Sequence, residues 1–382
     1  MRKVAFVTGS RADYGIMRRF LKLLNKDCDV ELSIVVTGAL LDDKFGRQVK
    51  LIYEDGFYVA AEIKTCIDSS SNKTVIDNMA ETLAKFGEYF SCNKYDLLII
   101  LGDRYEMLSV ATAAAMQRIP ILHIHGGEAT FGNYDEFIRH AITKMSLYHF
   151  TATEEYRKRV IQLGENPERV FYLGALGAEN CTYIEEENVP KYIKNLPPKK
   201  YFTILFHPET LTNVDTLVQV NELLNAIEEY KDYKFIFLGT NADTNADIIR
   251  GRVCDFTARH ENAFYYENLH TDAYHYLLKN GICLIGNSSS GIIEAPSLGI
   301  FTINIGDRQA GRVRGSSVID VICKKEEIVR SIEYVKKNRE KEIDDNPYYK
   351  ENSSYLYYET TRKLLSIVEG DNKSPKRFYD IK

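Results

Sequence analysis

The sequence predicts an α/β protein made of two Rossmann-like, doubly wound domains that face a cleft. Three observations carry this. Short β-branched runs ending at Gly or a small polar residue recur along the whole chain, each followed by a helical stretch, the pattern of βαβ units. The runs are continuously apolar rather than alternating, as expected of parallel strands covered on both faces. The length of 382 residues exceeds one ordinary core and, at ~100–200 residues per domain, gives two or three domains.

In the first half the strand runs are "KVAFVTGSRAD", "ELSIVVTGALL", "DLLIILGDR", "IPILHIHGGE", "YHFTATEE" and "RVFYLGALG". In the second they are "FTILFHPET", "KFIFLGTNAD", "AFYYENLH", "ICLIGNSSSG" and "IFTINIGDR". Between the halves, "CTYIEEENVPKYIKNLPPKKYF" is charged, Tyr-rich and carries Pro190, Pro197 and Pro198; it shows no strand signal before Phe202. The expected organisation is a first domain over 1–180, a linker over 181–200 and a second domain over 201–360. A helix and tail over 361–382 are expected to pack back on the first domain. "YLYYETTRKLLSIVEG" reads as the closing helix and "DNKSPKRFYDIK" as its polar end.

Hydrophobic content of 45% and charged content of 27% are those of a globular chain. The net charge of −5 argues against a nucleic-acid binder, which needs a basic field. No apolar run approaches the ~18 residues of a membrane span, and the apolar run before Gly9 is too short for a signal peptide. Seven cysteines, odd in number, scattered and without a CxxC pair, suggest neither a disulfide framework nor a zinc site. A cytoplasmic location is expected.

In doubly wound sheets ligands bind beyond the carboxyl ends of the strands, and there the chain concentrates its polar residues. After the first strand, Gly9 permits a tight exit, Ser10 and the following amides can meet an anion at a helix start, and Arg11 adds a forked donor for phosphate. The same residues could simply turn the chain and cap the helix. Asp103 and Arg104 of "LGDRYE" end a strong strand, where they are either site residues or a loop ion pair. "HIHGGE" follows another strand, and its two glycines let the backbone approach a neighbour. From Asp135 an apolar stripe of Phe137, Ile138, Ala141, Ile142 and Met145 predicts a helix. Asp135 would then face Arg139, and Glu136 would face His140, on its polar side. His123, His125 and Glu128 are close in sequence, but no metal site is expected.

The second half offers His207 of "FHPET" and Asn241 and Asp243 of "GTNAD", each a site or a turn residue. In "IGNSSSGIIEAPSLGI" a strand runs into Ser288, Ser289 and Ser290 at a helix start, which suits a phosphate or diphosphate. Glu294, a turn and a half into that helix, could hold the vicinal hydroxyls of a ribose. "GDRQAGRVRG" adds Arg308, Arg312 and Arg314. The absence of GxGxxG argues against NAD or FAD.

With these motifs assembled, the sequence resembles the hydrolysing UDP-N-acetylglucosamine 2-epimerases of bacterial sialic-acid biosynthesis. The match runs from "VTGSRADYGI" through "LGDRYE", "HIHGGE", "NYDEFIRHAITKMS", "TEEYRKRVIQLGE", "FHPETL", "NADT", "IGNSSSGIIEAPSL" and "NIGDRQAGRVRG" to "FYDI". The resemblance implies a glycosyltransferase-B-like fold, a UDP-sugar substrate, no cofactor or metal, and commonly a homodimer or homotetramer. It implies acid/base roles for Asp103 and Asp135, a place near the diphosphate for His207, and nucleotide contacts from Arg11, Ser288, Ser289 and Glu294. Arg104, Asn241, Ser290 and Arg312 complete the expected binding set. Where many relatives have a glutamate before the two glycines, this chain has His125, so either Glu128 or His125 fills that acid's place.

Overall fold

A computed structural model of the chain describes all residues except 69, 132, 133, 210–213, 241–244, 344, 374, 375 and 382. Two compact units divide it. One comprises Met1–Glu128, Tyr134–Leu176 and Lys350–Lys382; the other comprises Ala129–Asn133 and Gly177–Tyr349.

The first unit is built on strands β1 (Arg2–Thr8), β2 (Val30–Thr37), β3 (Val59–Ile63), β4 (Leu97–Leu101), β5 (Ile121–Ile124), β6 (Tyr148–Thr151) and β7 (Val170–Tyr172). They pair in parallel in the order β3-β2-β1-β4-β5-β6-β7, so the winding reverses between β1 and β4. Each continuous apolar run serves two cores. Val4 and Phe6 of β1 join one with Ile34, Ile99 and Leu122. Ala5 and Val7 join the other with Leu98, Phe86 and Val110. The closing helix, Ser353–Lys373, packs on the helix Arg11–Asn25. There Tyr357 meets Phe20 edge-on at 5.7 Å and donates to the Gly174 carbonyl at 2.8 Å.

The second unit repeats the plan with β8 (Tyr201–Leu205), β9 (Lys234–Leu238), β10 (Ala263–Tyr266), β11 (Cys283–Gly286), β12 (Phe301–Ile305) and β13 (Val318–Val321). The order is β10-β9-β8-β11-β12-β13, again parallel, with the reversal between β8 and β11. Its core joins Phe202, Ile204, Phe235, Leu284 and Ile303 to the helix residues Val220, Leu224, Ile328 and Ile332.

Two strands escape the sequence reading, β3 and β13. Both are sheet edges whose residues are half-buried or exposed, so neither shows the apolar run that marks an inner strand. The stretch 181–200, expected as a linker, places Val189, Ile193 and Leu196 in a core with Tyr201, Ile236 and Leu277, and so belongs to the second unit.

Gly286 closes β11 so near its neighbour that a Cβ would collide with the Leu205 carbonyl. Gly286→Ala should therefore lower stability by about 1–3 kcal/mol, the scale of overpacking. Gly87→Ala, in open space inside the helix Asn72–Cys92, should instead be neutral or stabilising by up to ~1 kcal/mol. Thermal midpoints of the two variants check this, and equal midpoints would mean that the β8–β11 contact yields to a methyl group.

Candidate functional site

At the reversal in the first unit, the loops after β1, β4 and β5 bring charged residues together. Ser10 caps the helix Arg11–Asn25 by accepting from the Asp13 amide at 3.1 Å. Arg11 is half-buried, which lowers the affinity of its guanidinium for a proton; among the described residues no acidic partner engages it. Asp13 is pushed up to about 6, chiefly by burial and against the pull of Arg104 and the Ser10 bond. Arg104 is held firmly charged by Glu106, whose Oε1 lies 2.5 Å from its Nε, and by Asp13. Glu106 Oε2 is buried with no hydrogen-bond partner among the described residues. Of the two readings left open for Asp103 and Arg104, a mutual loop ion pair is not what the structure shows, since Arg104 engages Glu106 and Asp103 engages Arg139.

The partner of Asp103 is Arg139. Its side chain is 0% exposed and donates to Asp103 Oδ2 through Nε at 2.8 Å and Nη2 at 2.5 Å. Its Nη1 donates to Glu136 at 3.0 Å and to the Glu128 carbonyl at 2.7 Å. Arg139 was expected on the solvent face of its helix; it lies inside, and Phe137, expected in the apolar stripe, is 64% exposed. The helix spans Asp135–Met145 as the periodicity predicts, but it is rotated so that the guanidinium can satisfy buried acceptors. Asp135 and Glu136 form its first turn, with Glu136 also 3.2 Å from His140.

His125 follows β5 in the left-handed region, φ 66°, a conformation that a side-chain-bearing residue adopts at some cost. Its amide donates to the Phe150 carbonyl at 2.9 Å, and its Nδ1 lies 3.7 Å from Glu128 Oε1. Both side chains are nearly buried, so the two candidates for one acid position form a pair. The glycines between them approach the protein itself. A Cβ on Gly127 would collide with the Tyr156 carbonyl, and one on Gly126 would stand 3.0 Å from Thr143 Oγ1. His123 belongs to the sheet interior. Its Nε2 donates to the Gly102 carbonyl at 2.8 Å, its Nδ1 accepts from Thr143 Oγ1 at 3.1 Å, and burial lowers it to about 3. With both nitrogens engaged it cannot join His125 and Glu128 around a metal.

In the second unit the reversal lies between β8 and β11, and Asn287 bridges it. Its Oδ1 accepts from the His207 amide at 2.7 Å and its Nδ2 donates to the His207 carbonyl at 2.8 Å. The Asn287 carbonyl takes bonds from Gln309 at 2.9 Å and Arg308 at 3.3 Å. The serines form a chain, with Ser290 Oγ 3.0 Å from Ser288 Oγ and 2.5 Å from Tyr274 Oη. The helix they open spans only Ser290–Ile293, because Pro296 lacks an amide donor and disfavours helical backbone before it. Glu294 therefore ends that helix rather than sitting inside it. Its Oε2 lies 3.4 Å from His275 Nε2, and its carbonyl accepts from Cys181 Sγ at 3.5 Å. Arg312 is half-buried, and Arg314 is tied to Asp320 at 3.0 Å and to the Gln309 carbonyl at 3.0 Å. Asn241 and Asp243 lie outside the described residues.

Sequence reasoning passed over Asp13, Glu106, Asn287, Tyr274 and His275, and gave Arg139 only a pairing on the polar face of its helix. Asp13, three residues after a Ser at a strand end, carried a readable signal. Tyr274 and His275 come from a helix, Thr271–Asn280, whose closeness to Ser290 and Glu294 no local pattern reveals. Glu209 was quoted in "FHPET" without a role; its Oε1 accepts from the amides of Asp307 at 2.9 Å and Arg308 at 3.3 Å, and burial raises its carboxyl.

A family model described as UDP-N-acetylglucosamine 2-epimerase matches residues 22–360. The polysialic acid biosynthesis protein P7 of Escherichia coli is 46% identical over 100% of this chain and 98% of that protein. The hydrolysing GDP/UDP-N,N'-diacetylbacillosamine 2-epimerase of Campylobacter jejuni is 36% identical over 84% of each chain. The crystal structure of UDP-GlcNAc 2-epimerase from Neisseria meningitidis bound to UDP-GlcNAc aligns at a TM-score of 0.79 and 18% identity. That alignment covers 94% of this chain and 100% of that one, and shows the shared fold. Among the described residues, no helix is long and apolar enough to cross a membrane.

The raised carboxyl of Asp13 has a consequence for stability. A carboxyl that binds its proton more tightly when folded than when unfolded stabilises the fold at low pH. That contribution is present below the ordinary carboxylate range and is lost as pH rises through about 6. Asp13→Asn should therefore gain thermal midpoint relative to the parent between pH 4 and 7. A constant difference between the two proteins over this range would show that Asp13 titrates normally.

Proposed function

The chain belongs to the UDP-N-acetylglucosamine 2-epimerase family, and on that premise we propose that it is a hydrolysing 2-epimerase. It converts UDP-N-acetylglucosamine to N-acetylmannosamine and UDP, as the first, cytoplasmic step of sialic-acid synthesis. The carrying observation is the acid/base cluster at the ends of β4 and β5, where Asp103 on Arg139 accompanies the His125–Glu128 pair. Full-length similarity to a polysialic acid biosynthesis protein supports the pathway.

The chemistry in this reading is elimination followed by hydration. A base takes the proton from C2 as the C1–O bond breaks and UDP departs with the electron pair, leaving a glycal. Water then adds across the double bond, its oxygen to C1, while an acid returns a proton to C2 on the opposite face. Two faces need two groups, and Asp103, Asp135, Glu128 and His125 are residue types suited to such transfer. The second unit binds the nucleotide, with Ser288, Ser289 and Ser290 on the diphosphate beside His207 and Arg312, and Glu294 on the ribose. Arg11 and Arg104 offset the charge that builds on the leaving phosphate. The sugar's oxidation level is unchanged overall, so the reaction as proposed needs no redox cofactor.

Incubation with UDP-N-acetylglucosamine alone, followed by NMR, should yield free N-acetylmannosamine and UDP. In ¹⁸O-water the label should enter the sugar and not UDP, and in D₂O deuterium should appear at C2. Accumulation of UDP-N-acetylmannosamine would place the chain in the non-hydrolysing branch. Turnover only of UDP-N,N'-diacetylbacillosamine would move the substrate to that of the 36%-identical relative, and a requirement for an acceptor would make the protein a glycosyltransferase.

Asp103→Asn should leave UDP affinity within a few fold and reduce turnover ~10²-fold or more, the scale of losing a positioned acid or base. Glu294→Gln should weaken UDP binding by about 1.5–3 kcal/mol, that of a charged hydrogen bond, as read by calorimetry. Parent-like turnover in the first, or parent-like affinity in the second, would remove that residue from its role.

A further inference from the structure

The end of the chain makes contacts that the proposed reaction does not use. Lys376 Nζ reaches the carbonyls of Lys144 at 2.9 Å, Ser146 at 2.5 Å and Thr143 at 3.3 Å. Those groups terminate the helix Asp135–Met145, whose last carbonyls have no partner within the helix and attract a cation. The same ammonium lies 2.7 Å from Glu165 Oε2. Glu165 is only 2% exposed and also holds Lys144 at 2.6 Å and His149 at 3.0 Å. Although burial opposes its charge, these partners keep its carboxyl below the ordinary range. Two residues on, the Phe378 ring rests against Gly164, where a Cβ would collide with it, and Lys144 Nζ lies 5.0 Å from the ring centre. The Tyr379 amide donates to the Gly164 carbonyl at 2.9 Å.

We propose that Lys376–Tyr379 form a C-terminal clasp that positions the helix Asp135–Met145 and, through Arg139, the carboxylate of Asp103. The functional half of this inference rests on the reaction proposed above. The route is continuous within the first unit. Lys376 fixes the carboxyl end of the helix, Arg139 projects from its middle, and the guanidinium holds both Asp103 and the backbone of Glu128. A helix loosened at Thr143–Ser146 tilts or frays about its far end, and the guanidinium travels with it. Such a shift, of a size that leaves the fold intact, is enough to impair proton transfer that depends on exact placement. Lys376 is thus a positioning residue that acts without touching the substrate.

The test compares the full chain with Lys376→Met, Phe378→Ala, Lys376→Arg and a chain ending at residue 373. Hydrogen exchange of the amides at 143–146 should accelerate at least tenfold in the first two variants and in the truncated chain, and remain near parent in Lys376→Arg. With UDP-N-acetylglucosamine, kcat should fall about tenfold in the same three while KM and the calorimetric UDP affinity stay within twofold. Lys376→Arg should recover most of kcat. Parent-like exchange in the truncated chain would overturn the clasp, as would a kcat unchanged despite faster exchange, or a loss shared by kcat and UDP affinity. If the parent protein turns over no UDP-N-acetylglucosamine, the proposed reaction fails by itself, and the exchange measurement still decides whether the clasp exists.

Discussion

The buried guanidinium of Arg139 is the interaction on which the first unit's polar cluster depends. Taking such a group out of water costs several kcal/mol even after the protein relaxes, so it persists only where its donors are answered. Asp103, Glu136 and the Glu128 carbonyl answer them. Asp103 lies after β4 and Glu128 after β5, while Glu136 is in the first turn of Arg139's own helix, so one side chain joins two loops to the helix that carries it. A lysine could not do the same, because a point charge lacks the fork that addresses a carboxylate and a carbonyl in one plane.

The second unit solves a similar problem around a neutral side chain. Where the winding reverses, neighbouring strands lead into helices on opposite faces and the ladder ends, leaving main-chain groups that must find partners. Asn287 offers one amide donor and one amide acceptor to the single residue His207, restoring the missing pairing across β8 and β11. Its own carbonyl then collects Gln309 and Arg308 from the loop after β12. A neutral clamp of this kind holds the loops while adding no charge of its own to a region where phosphate is proposed to bind.

The histidines of "HIH" show how one residue type divides between roles over two positions. His123 is within the strand, and both its nitrogens are consumed by Gly102 and Thr143. His125 is one step past the strand, in left-handed backbone, which turns it toward Glu128. The following glycines admit the Tyr156 carbonyl and the Thr143 hydroxyl, so their small size serves the packing that supports the pair.

The chain by itself determined the two parallel sheets, because strands covered on both faces must be apolar throughout, and each such run was visible with its glycine or polar exit. It also determined that Asp103, His125, Glu128, His207 and Ser288 stand at strand ends, since those positions follow directly from where the apolar runs stop. The edge strands β3 and β13 were not visible, since a half-exposed strand has no such run. The burial of Arg139 was decided by tertiary structure alone. An i,i+4 pattern allows a guanidinium to meet solvent or core, and only the arrival of Asp103 from a distant strand makes the core the lower free energy. The same holds for His275 beside Glu294 and for Lys376 on the carbonyls of a helix more than two hundred residues earlier. Local sequence sets which groups a segment offers, while the partner that satisfies them is chosen by packing.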